Sequence, residues 1–149
     1  MNVDLYFTLT QPIAHNPKLS AQEKALKQKL IRHLCYFAHC FSTSKLKIDT
    51  FTHQNIGIVQ HLGQPYGVYF HDLALEQQHQ ETEWQNIISQ LQQIKAQNQL
   101  KSLWYVFVDE GQLTAPLQSF DWLKRHHLSA YFERIYAFNF SKSTILPLI

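Results

Sequence analysis

Nine residues, RHLCYFAHC from Arg32 to Cys40, hold two histidines and both cysteines of the chain. Imidazole nitrogen and thiolate sulfur are ligands of structural zinc, and closely spaced cysteines are also redox groups. Spacing decides how many of them can act together. Leu26, Leu30, Leu34, Phe37 and Phe41 recur at steps of three and four, so the segment reads as helix. At about 100° per residue from Leu34, the other four of these fall between roughly 280° and 340° and define the buried face. His33 and Cys40 fall at about 260° and 240° on one flank, and Cys35 and His39 at about 100° and 140° on the far side. Four groups divided in this way cannot surround one ion. Two cysteines five apart on a helix point apart rather than toward a disulfide. Cys35 and His39, at i and i+4, remain a pair with ligand spacing if another element supplies the rest. His33 and Cys40 are expected to pack.

A second constellation comes from strand ends. The runs LKIDTFTH, YGVYFHDL and LWYVFV end at or near His53, Asp72 and Asp109-Glu110. A single helix joins the last two runs, so a crossover makes them parallel and brings Asp72, Asp109 and Glu110 to one sheet edge. In a three-strand meander the first run ends there too, with His53. Carboxylates at the carboxyl ends of neighbouring strands are where open sheets bind ligands, and a histidine beside them can serve as base or metal ligand. His71 precedes Asp72 and belongs by alternation to the opposite face. The competing reading is that these acids cap turns. No phosphate-cradling glycine loop, G-x-S-x-G elbow or H-E-x-x-H helix occurs, so no catalytic motif is complete.

The elements that must position these groups follow from periodicity. Asp4 to Thr10 alternates and reads as a strand, ended at Gln11-Pro12. Ser20 and Glu23 have capping-box spacing and open the helix that runs to about Phe41. Three strands, Leu46–His53, Ile56–Leu62 and Tyr66–Leu73, are separated by short turns and form a meander. Thr82 and Gln85 open a second helix with Trp84, Ile87, Ile88, Leu91 and Ile94 on its apolar face. Leu103–Val108 is a buried strand. Thr114 and Pro116 open a third helix carrying Leu117, Phe120 and Leu123. Ala130–Arg134 looks helical, and residues 135–140 form a last strand or extend a helix. The expected order is β-α-β-β-β-α-β-α, an α+β or three-layer α/β domain with helices on a mixed sheet of about five strands.

From Ser20 to Val108 this order resembles the core of the PD-(D/E)xK nucleases. The resemblance is one of topology, because YGVYFHDL carries no carboxylate-x-Lys and IGIVQHL no acid. A ferredoxin-like β-α-β-β-α-β order arises instead if Ile56 to Leu73 is one bent strand.

The chain of 149 residues, 45% hydrophobic, suits a single domain spanning residues 1–149. No apolar run is long enough for a membrane span, and MNVDLYFTLT lacks the features of a leader, so a cytoplasmic location is expected. Net charge is +2, but residues 1–50 carry seven Lys or Arg against three acids. On the first helix Lys24, Lys27 and Arg32 are therefore candidate contacts for nucleic acid or an acidic partner. The absence of a complete catalytic motif, the few glycines and the aromatic-rich, nearly neutral composition lead us to expect a cofactor-free, non-enzymatic module that binds another protein, as inhibitors, immunity factors and assembly factors do. The alternatives are a nuclease or phosphoesterase holding a divalent metal with Asp72, Asp109, Glu110 and His53, and a nucleic-acid-binding domain using the basic helix.

Overall fold

The computed structural model describes residues 3–41, 46–51, 56–72, 81–109, 127–139 and 144–148. Two helices, α1 (Val3–Ala14) and α2 (Ala21–His39), precede strands β1 (Leu46–Phe51), β2 (Ile56–His61) and β3 (Gln64–Asp72). Helix α3 (Glu81–Gln97) leads to β4 (Ser102–Asp109), and a short 3-10 turn, Leu128–Ala130, precedes β5 (Arg134–Asn139) and β6 (Thr144–Pro147). The six strands form one sheet in sequence order. Strands β1, β2 and β3 are an antiparallel meander, β3, β4 and β5 are mutually parallel, and β6 returns antiparallel to β5. The architecture is α+β, with helices on a mixed sheet.

Helix α2 starts where its capping box requires. Ser20 Oγ accepts from Glu23 N at 3.2 Å and donates to Glu23 Oε1 at 3.1 Å. Its Leu30, Leu34 and Phe37, with Phe41 just after its end, pack on one sheet face with Val59, Val68, Phe70, Trp104, Val106, Val108 and Phe138. Gly57 permits this approach, because a Cβ there would meet Leu34 Cδ2 at 2.6 Å. Helix α3 covers the opposite face through Ile88 and Leu91, against Tyr69, Leu103, Tyr105 and Phe107. Residues 103–108 of β4 are buried on both faces, as a continuous apolar run at the middle of a sheet demands.

The structure corrects four expectations. Asp4–Thr10 is not a strand but the body of α1, which packs on α2. Leu5, Leu9 and Ile13 fit the helical period as well as Leu5, Phe7 and Leu9 fit alternation. Burial arbitrates, since Phe7 is 55% exposed and Thr10 is buried. The threonine hydroxyls donate one turn back, Thr8 Oγ1 to Asp4 O at 2.8 Å and Thr10 Oγ1 to Tyr6 O at 2.9 Å, and Pro12 sits inside the last turns instead of ending the element.

Ile56 to Leu73 is not one bent strand, because a turn at Leu62-Gly63 separates β2 from β3, so the ferredoxin-like order falls. The helix expected at Ala130–Arg134 is reduced to the 3-10 turn, and residues 134–139 form a strand. A sixth strand, β6, was not foreseen. The helix expected from Thr114 to Leu123 lies outside the described residues. No helix is long and apolar enough to cross a membrane among the described residues.

Candidate functional site

On α2 the cysteines and histidines divide as helical geometry requires. His33 is fully buried and Cys40 packs against the core cluster, while His39 is exposed. Cys35 lies in the same helical sector as Ile31, and both are buried. Burial pushes the Cys35 thiol up to about 11 and raises Cys40 as well, so neither is a thiolate near neutral pH. Among the described residues, no three His, Cys, Asp or Glu side chains converge as a metal site would require. Lys24, Lys27 and Arg32 are half-buried. Lys24 and Lys27, at about 80° and 20° on the same wheel, share the sector of Ile31 and Cys35.

At the carboxyl edge, Asp72 is in register with Val108, and Asp109 with Asn139. His53 and Glu110 lie outside the described residues. Tyr66, Val68 and Phe70 of β3 face the α2 side, and Leu103, Tyr105 and Phe107 of β4 face the α3 side. His71, in register with Phe107, lies on the α3 side. It is buried, its ring tilted against Phe107 at 5.3 Å, and its Nδ1 and the Tyr105 Oη share a hydrogen bond of 2.6 Å. Sequence spacing alone does not pair them, because His71 is one residue from the end of β3 while Tyr105 lies mid-strand in register with Tyr69.

The opposite end of the sheet carries a second polar cluster. His61, at the end of β2, packs edge-on against Trp104 at 5.5 Å, and Tyr66 lies 4.7 Å from the same indole. The Arg134 guanidinium sits 4.8 Å over the Trp104 ring and donates to Tyr136 Oη at 3.2 Å. Burial, and then the Arg134 charge, hold the His61 pKa below its ordinary 6.5, with Glu133 opposing. The unfolded chain takes up this proton near pH 6.5, whereas the folded chain resists it. Stability from this group is thus complete above that pH and falls as the medium acidifies toward the folded-state value. His61→Gln should flatten this part of a melting-temperature profile against pH. Parallel profiles for the two proteins would contradict the assignment.

Beyond this cluster the β2–β3 hairpin protrudes. Leu62 and Gly63 both have positive φ, 52° and 80°, as a type I′ turn requires. Glycine adopts this freely. Leucine does not, yet Leu62 is 67% exposed and so is not held there by burial. Lys47, Gln60, Leu62 and Gly63 line an open groove of about 590 Å³ beside the turn. No protein-family model matches this chain, and no curated protein is found to be similar to it.

Proposed function

We propose that the protein is a cytosolic, non-enzymatic module that binds another protein, in the manner of an inhibitor, immunity factor or assembly factor. The observation that carries this reading is Leu62. Its left-handed backbone costs about 1–2 kcal/mol for a residue with a Cβ. Asn or Gly would serve the turn better, and water gains nothing from the leucine. Strain and exposed apolar surface at one residue are what a protruding interface anchor combines.

The test separates stability from binding. Leu62→Asn is expected to raise folding stability by about 1 kcal/mol while removing a stoichiometric partner that the wild-type chain retains in pull-down from native lysate. Only background capture by the wild type, or undiminished capture by the variant, would count against the reading.

The metal-dependent nuclease or phosphoesterase is the second reading, supported by the parallel register that ends β3 and β4 at Asp72 and Asp109. It requires a divalent-metal rise in melting temperature that Asp72→Asn abolishes. Without that rise the reading fails.

A further inference from the structure

The hairpin end of the sheet has a charge pattern that defines what Leu62 would meet. Lys47 is in register with Gln60, Gln60 with Pro65, and the Lys101 amide donates to Pro65 O at 2.8 Å. These four residues form one row across the sheet, which sets Lys47 and Lys101 about three strand spacings, or roughly 14 Å, apart. Both lysines are exposed, and the Leu62-Gly63 turn projects beyond the row between them. Lys95, in the last turn of α3, adds positive charge at the same end, while the Arg134 guanidinium is engaged on the other face with Trp104 and Tyr136. At this end of the sheet the carboxylates among the described residues are Glu133 and, further along β1, Asp49, whereas Asp72 and Asp109 end their strands at the opposite edge. The Asp49 carboxylate already accepts from Gln60 Nε2 at 3.0 Å.

Backbone strain gathers at this end as well. After α3, the Leu100 amide donates to Lys95 O and the Gln99 amide to Ala96 O, a Schellman ending whose left-handed position is filled by Gln99 at φ 53°. Glycine is the residue that adopts this conformation without cost. Two neighbouring turns, at Leu62 and Gln99, therefore both place a side chain where glycine or asparagine suits the backbone better.

We propose that this end of the sheet docks an acidic segment of another protein that carries an apolar anchor. The inference rests on the protein-binding reading above and names its surface and the chemistry of its partner. The anchor lies against Leu62 in the groove that Lys47, Gln60 and Gly63 complete, and carboxylates on either side of it meet Lys47 and Lys101. A groove of about 590 Å³ lies within the size range of clefts that hold ligands. The lysines are exposed, so their contribution is screened by salt and acts through orientation and encounter as much as through affinity.

The full chain is tested by fluorescence anisotropy against synthetic peptides with a central Leu or Phe between glutamates. Comparison peptides carry lysines in place of the glutamates, or Ser in place of the anchor, and a single-stranded oligonucleotide supplies a phosphate arm. The acidic anchored peptides should bind at least about tenfold tighter than either comparison peptide, and Leu62→Asn or Lys47→Glu/Lys101→Glu should weaken them by a similar factor. Binding should also fall between about 50 and 500 mM salt.

Equal binding of all peptides, or of the wild type and both variants, would overturn the proposal, as would preference for the oligonucleotide. Thermal melts establish that the variants are folded. If a stoichiometric lysate partner survives both variants, this surface is wrong while the protein-binding reading stands. If neither a partner nor any peptide binds, both fail.

Discussion

Replacing Phe37 with alanine is expected to remove about 3–5 kcal/mol of folding stability, the range for truncating a buried aromatic side chain. Phe37 is fully buried and is where α2 meets two strands of the sheet at once. Its ring meets Phe70 of β3 edge-on at 5.9 Å, Tyr136 and Phe138 of β5 at 5.8 and 6.3 Å, and Phe41 one turn along at 4.9 Å. Alanine forfeits the transfer energy of the ring and leaves a space that neighbours on two rigid strands cannot collapse to fill. Domains of this kind have about 5–15 kcal/mol in total, so a large share of the stability goes, and the melting temperature should fall by roughly 10 °C. Urea denaturation of Phe37→Ala beside Phe7→Ala is the measurement. Phe7 is 55% exposed on α1, so its truncation should cost about 0.5 kcal/mol or less. A loss at Phe37 no larger than that at Phe7 would mean that α2 is not seated on the sheet as described.

Phe37 was legible in the sequence because its signals agree. The capping box, the steps of three and four from Leu30 to Phe41, and the flanking strands all called for one amphipathic helix packed on a sheet. Leu103–Val108 was legible for a similar reason, since six apolar residues in a row leave no side for water. α1 was not, because seven residues can satisfy alternation and helical period together. What decides between them is tertiary: α2 offers a face, and the threonine hydroxyls find carbonyls one turn back. Nothing within residues 4–10 encodes that neighbour.

The candidate sites divide along the same line. Parallel register and edge positions of Asp72 and Asp109 follow from connection rules. Leu62 was missed for a different reason. It closed a strand-like run, and composition cannot tell a last strand residue from the first residue of a type I′ turn. The sign of φ distinguishes them, and it becomes visible only once β2 and β3 are paired.

The hydroxyl of Tyr105 supplies the other large effect. Tyr105→Phe keeps the ring and its contacts with Tyr69 at 5.3 Å, Phe107 at 4.9 Å and Phe132 at 4.9 Å, and removes only the Oη that faces His71 Nδ1 at 2.6 Å. Both residues are buried, so water cannot replace the lost group, and the expected cost is about 1–3 kcal/mol. His71→Leu should cost a comparable amount, and the double variant should cost less than the sum, because once one partner is gone the other has less to lose. Equilibrium denaturation of the four proteins gives that coupling directly. If the costs simply add, the short hydrogen bond is not what holds the pair. If Tyr105→Phe costs nothing at all, a buried polar pair is being kept for a reason other than stability. His71, one residue from the end of β3, would then become the first place to look for chemistry.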